Sequence, residues 1–199
     1  MFEAFVTLSF ATTLLLGSPG PAPLAIAATG ATFGVRNGIP FLIGILCGLL
    51  VVIVGTTLGI AALLSGFPEI RLALQIIGAL YIIYIAQKIA RAPVLNTQNN
   101  NPGPSPTLLD GFILNLINPK AYAAFLAIFS QFLLPFSNTF SSYLTTGIVC
   151  FMIAVLVDTA WLILGGVLRP IFESPTSARV IRVTFAVLMV GAVVFALAS

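Results

Sequence analysis

The 199 residues are 59% hydrophobic and only 7% charged, with a mean hydropathy of +1.15. A soluble domain carries roughly 25% charged residues, so this chain has too little polar surface to face water and reads as an integral membrane protein. The formal charge of +3 rests on so few groups that it points to no nucleic-acid partner, and the absence of histidine removes the commonest metal ligand and proton shuttle.

Six apolar stretches are long enough to cross a hydrocarbon layer of ~30 Å, which takes about 20 helical residues. The hydropathy pattern predicts them at Phe2–Phe33, Ile39–Leu64, Ile70–Ile89, Leu108–Leu134, Tyr143–Leu168 and Val180–Leu197. The first begins like a secretory leader, but its opening carries Glu3 and no Lys or Arg, so it reads as a membrane segment. Within it, Gly17-Ser18-Pro19-Gly20-Pro21-Ala22-Pro23 interrupts the apolar run. Prolines 19, 21 and 23 lack amide donors and cannot continue a helix. Backbone groups freed in hydrocarbon must be buried in protein or line a wet cavity, which predicts two half-helices meeting near mid-membrane. Free carbonyls are expected at Leu14 to Gly17 and free amides at Leu24 to Ile26. Carbonyl ends attract cations and amide ends attract anions, so a zwitterion suits the pair.

In the second and third helices, Gly44/Gly48 and Gly55/Gly59, like Gly30/Gly34 before them, are spaced for close helix approach. Tyr81, Tyr84 and Gln87 form a stripe read as packing or interface anchoring. Cys47 and Cys150 lie inside apolar runs and read as small core residues. The segment Ala92–Thr107, APVLNTQNNNPGPSPT, is a low-complexity linker. Arg36, Lys88, Arg91, Arg169, Arg179 and Arg182 all flank the first, third and fifth connections, against Arg71 alone on the other side. The positive-inside rule places those six in the cytoplasm and both termini outside.

The chain is thus read as one transmembrane domain, residues 1–199, with half one at 1–91, the linker at 92–107 and half two at 108–199. Three helices per half insert the second half upside down, giving an all-α fold of two inverted three-helix repeats with broken first and fourth helices. In such transporters, interruptions at matching positions mark the binding site. The fourth helix breaks at Asn118-Pro119-Lys120, matching the break at Pro19–Pro23 in the first. Lys120 sits ~18 Å into its helix and Asp158 ~15 Å from the cytoplasmic edge. Charges at such depth face a cavity or one another. One reading is a structural Lys120–Asp158 ion pair; the other has one or both lining a transport path. Asn115 and Asn118 share a helix face, where they serve as caps or as ligand contacts.

Ser-Pro-Gly-Pro at 18–21, GIPFLIGILCGLL at 38–50, IIGALYIIYIAQKIAR at 76–91 and GFILNLINPKAYAAFLAIFSQF at 111–132 resemble the LysE/RhtB family of bacterial amino-acid exporters, over nearly the whole chain and including Asp158 and Trp161. The resemblance implies efflux of amino acids or close derivatives across the inner membrane by proton antiport, with no cofactor. Two departures stand out. Many members carry an acidic residue after a glycine in the second helix, where this chain reads Gly48-Leu49-Leu50, and an early glycine expected near Val183-Thr184 is absent. The missing acid favours a neutral substrate.

The expected substrate site therefore comprises Gly17, Ser18, Pro19, Gly20, Pro21, Asn115, Asn118, Pro119, Lys120 and Asp158, with Asp158 also taking the coupling proton. The partners are a small amino acid, protons and the lipid bilayer; homo-oligomerisation is left open. The alternative within transport is efflux of inorganic metal cations, for which a single midplane carboxylate is a poor ligand set. An enzyme is disfavoured: thiol relays need cysteines at the breaks, and a serine nucleophile needs a base such as histidine.

Overall fold

The computed structural model describes residues 1–59 and 104–168, together with scattered positions in 76–87 and 179–191. Among them every regular element with defined bounds is a helix: α1 (Phe2–Gly17), α2 (Pro21–Phe33), α3 (Val35–Thr57), α4 (Leu108–Leu116), α5 (Pro119–Gln131) and α6 (Thr139–Leu168). Most of the predicted spans at Ile70–Ile89 and Val180–Leu197, and most of the linker, lie outside the described residues.

Both predicted breaks are present. The axes of α1 and α2 bend by 64° at Ser18–Gly20, and those of α4 and α5 by 57° at Ile117–Asn118. α3 and α6 are each long and apolar enough to cross a membrane, and counting each bent pair as one span makes four. α3 begins at Val35, four residues earlier than the pattern predicts. Gly34, at φ 83°, turns the chain from α2 into α3 within one residue, a left-handed conformation that favours glycine. Gly34 is therefore a breaker and not half of a packing pair. Gly59, at the same φ with open space around it, likewise follows the end of α3.

The helices pack across the halves. α2, buried along its whole length from Pro21 to Phe33, lies on α6, while α3 lies on α4. Glycines set both approaches. A Cβ on Gly44 would fall on the Leu108 carbonyl, and one on Gly111 would fall on that of Phe41. A Cβ on Gly30 would meet the Leu162 carbonyl, and one on Gly165 that of Ala27. Without a water-driven force between helices, backbone proximity of this kind supplies the packing energy in a bilayer. One core gathers Ile26, Phe41, Ile45, Leu114 and Leu162; a second gathers Leu8, Val52, Phe125, Ile128 and Cys150. Cys150 fits the expectation of a core thiol and sits 3.4 Å from the Thr12 hydroxyl. Cys47 does not: it is exposed on the outer face of α3 beside Ile43, Leu50 and Val54.

Candidate functional site

The first break is tied down by partners from elsewhere in the fold. Ser18 closes α1 by donating its amide to Leu14 O at 3.1 Å, and its hydroxyl donates to Leu15 O at 3.1 Å. Trp161 on α6 donates its indole N–H to Gly17 O at 3.3 Å. The Lys120 ammonium reaches over from α5 and donates to Ser18 O at 2.5 Å and to Ser18 Oγ at 2.8 Å. Three of the carbonyls expected to stand open, those of Leu14, Leu15 and Gly17, thus already have protein donors. The reason is that a serine and a tryptophan lie where they satisfy a helix end that prolines prevent from continuing.

The amide side also differs from expectation. α2 starts at Pro21 and not near Leu24, and the Leu24 amide donates to Gly20 O at 3.0 Å. Ala25 and Ile26 lie inside the helix, where amides bond to the preceding turn. Pro21 and Pro23 have no N–H, so of the first three helical residues only Ala22 carries an amide. Gly20 precedes the helix in an extended conformation with no side-chain cap. Its small size answers to space: a Cβ there would lie 2.8 Å from Lys120 Cδ and 2.9 Å from Nζ.

The second break closes on itself. Asn118 caps α5 by accepting the Lys120 amide at Oδ1 (3.2 Å), and Pro119 fills the first helical position, where a missing N–H costs nothing. The Asn118 amide donates to Asn115 O at 3.2 Å and its side chain to Asn115 Oδ1 at 3.5 Å. Asn115 in turn donates to Ile45 O on α3 at 3.0 Å, and the Tyr122 hydroxyl donates to Leu116 O at 2.9 Å. Of the two roles open to the asparagines, capping and bracing are the ones seen.

Both breaks border a cavity of about 30 Å³. Its polar lining is Asn115, Asn118, Lys120 and Asp158; Leu16, Ala22, Ile45, Leu49 and Ala154 make the apolar wall. Asp158 is only 7% exposed and, among the described residues, makes no hydrogen bond and no ion pair within 4 Å. The structural Lys120–Asp158 pair is therefore not the arrangement found, because the ammonium is held by Ser18. Burying a carboxylate without a partner is expensive, and such residues in membrane proteins face water-filled cavities or ligands. The cavity holds about two waters, so an amino acid requires it to open.

Of the predicted residues, Asn115, Asn118, Lys120 and Asp158 meet at the cavity. Gly17, Ser18, Pro19, Gly20, Pro21 and Pro119 build the two breaks beside it, with Ser18 and Pro19 exposed and Gly20 and Pro21 buried. The first half reaches the cavity itself through Leu16, Ala22 and Pro23. Sequence reasoning missed Tyr122 and gave Trp161 no task. The one available signal was the polar aromatic Tyr122 just after the second break; Trp161 lies 144 residues from Gly17, and only folding shows which carbonyl it serves. The cavity is lined by one basic and one acidic side chain, Lys120 and Asp158, a pairing suited to a zwitterion.

The sequence pattern that describes the LysE type translocator matches residues 13–199. The chain is 30% identical to the leucine efflux protein of Enterobacter sp. (strain 638), over 72% of this chain and 73% of that one. It is 26% identical to the homoserine/homoserine lactone efflux protein of Salmonella typhimurium, over 96% and 95% of the two chains. It is also 28% identical to the cysteine/O-acetylserine efflux protein of Salmonella choleraesuis, over 96% and 94%. No solved structure matches it.

Proposed function

The chain belongs to the LysE type translocator family, whose members are transporters and not enzymes, and on that premise we propose that it exports neutral amino acids or close derivatives from the cytoplasm. The observation that carries this reading is the buried Asp158, unpaired among the described residues, on a cavity that Lys120 also lines. In the proposed mechanism Lys120 holds the substrate carboxylate, assisted by the Ala22 amide, and Asp158 holds the substrate ammonium. Protonation of Asp158 from the outer side releases the ammonium, and deprotonation to the inner side resets the site, which makes the cycle a proton antiport. The apolar wall, with Leu49 where many members carry an acid, favours a substrate whose side chain is uncharged. The relatives named for leucine, homoserine and cysteine efflux agree with that class.

The packing of each half's broken helix on a helix of the other half supports an inverted repeat, and the charge bias supports an inner-membrane protein with both termini periplasmic. Access alternates as the two sides of the cavity open in turn. No observation favours the metal-cation alternative.

The test is counterflow in proteoliposomes loaded with mixed amino acids, set beside liposomes loaded with divalent cations. Exchange of one or a few neutral amino acids, abolished in Lys120→Ala, is the expected result. Cation exchange without amino-acid flux would overturn the reading.

A further inference from the structure

We infer that Lys120 is a gate released by its own substrate: its ammonium latches onto Ser18 and leaves that latch for a carboxylate. The inference rests on the export reading and adds a coupling between occupancy and access. Three features of the structure carry it.

Lys120 spans from the cavity to the surface. Its stem lines the cavity that contains the buried Asp158, while its ammonium is spent on Ser18, which is exposed. The stem also runs across Gly20, so close that no β-carbon fits beneath it. On this inference the side chain stands between Asp158 and the Ser18 face of the molecule.

The latch is strong enough to hold and weak enough to lose. It consists of two bonds to neutral oxygens, a carbonyl and a hydroxyl. An ammonium–carboxylate contact, charged on both sides, is the stronger type. Asp158 shares the cavity and still has not drawn the ammonium off Ser18. A zwitterion seated with its ammonium on Asp158 extends a carboxylate towards Lys120 and spans the gap that Asp158 alone does not. The ligand class follows from this: the compound must carry both a primary ammonium and a free carboxylate. An amine or an amino-acid amide would reach Asp158 without releasing the latch.

The experiment places a reporter behind the gate. In full-length protein with Cys47→Ala, Ala154→Cys is labelled with a charged, membrane-impermeant thiol reagent in proteoliposomes, and Gly20→Ala or Lys120→Met is then added. Gly20→Ala displaces the stem, and Lys120→Met keeps the stem but removes the ammonium. Loss of a charged hydrogen bond raises the open population, and hence the labelling rate, about tenfold. Cys150, which is fully buried, stays unreactive if the fold is intact and so separates gate opening from unfolding. Faster labelling at position 154 with Cys150 silent supports the gate; an unchanged rate in both variants overturns it. Amino-acid exchange by the unmodified protein scores the export reading separately. A protein that exchanges leucine and is also driven by leucinamide would keep the export reading while removing the carboxylate-triggered latch.

Discussion

The two breaks start from the same chemistry, proline within an apolar helix, and resolve it in opposite ways. At the second break Asn115 in α4, Asn118 between the two helices and Tyr122 in α5 satisfy much of the interrupted backbone. At the first, Gly20 leaves α2 without a side-chain cap; Ser18 serves the Leu14 and Leu15 carbonyls locally, but those of Gly17 and Ser18 rely on Trp161 and Lys120 from the second half. A break that is satisfied locally is a structural joint. A break held by distant side chains can be let go, so in the proposed mechanism the first is the moving part and the second is the frame that carries the charge to it.

Substitutions can break or sharpen that contrast. The largest effect is expected for Lys120→Ala, which removes both the latch and the carboxylate partner; with each charged bond worth roughly 1.5–3 kcal/mol, exchange in proteoliposomes should fall about 100-fold or more. Asp158→Asn should give a folded protein whose remaining flux no longer follows an imposed pH gradient. Flux measured at several gradients that still tracks pH would remove the coupling role of Asp158. Trp161→Phe keeps the ring but loses the donor to Gly17 O, and a cost of about 1 kcal/mol at the moving break should change transport by roughly fivefold with little loss of thermal stability. Asn118→Ala should do the reverse. Losing the cap costs ~1 kcal/mol and lowers the melting temperature of detergent-solubilised protein by about 2–4 °C, with the Lys120–Ser18 contact kept. If Asn118→Ala instead abolished transport at unchanged stability, the division into frame and moving part would be wrong. The smallest change is expected for Tyr122→Phe, about 0.5 kcal/mol of stability measured the same way, the low end for a neutral hydrogen bond.

Much of this was readable from the chain because proline and charge are unambiguous in hydrocarbon. Pro19, Pro21, Pro23 and Pro119 fixed where the helices stop, and the cost of a midplane charge brought Lys120 and Asp158 to one cavity before any coordinate was known. The fine assignment of backbone partners was not readable. Whether the Gly17 and Ser18 carbonyls stay open depends on α5 and α6, which lie 100 residues and more away in sequence. The sequence pattern places the start of α2 two residues late, at Pro23, because a proline is favourable at a first helical position, and Pro21 and Pro23 both compete for it. Cys47 and Cys150 looked alike in composition, and only the helix face separates a lipid-exposed thiol from a buried one. Gly111 and Gly165 escaped notice because each packs against a carbonyl of a distant helix, not against a glycine at the next turn of its own.

The fit of α2 against α6 has a consequence for how the protein is made. Gly30 and Gly165, whose missing side chains let the two helices touch, are separated by 135 residues. At the usual ribosomal pace of roughly 5–20 residues per second, α2 is synthesised about 7–27 s before its partner has been translated. During that interval the most deeply buried helix of the described fold, with prolines in its first turn, has not met its neighbour. The nascent first half is thus an unfinished surface for most of translation, and the last third of the message completes it.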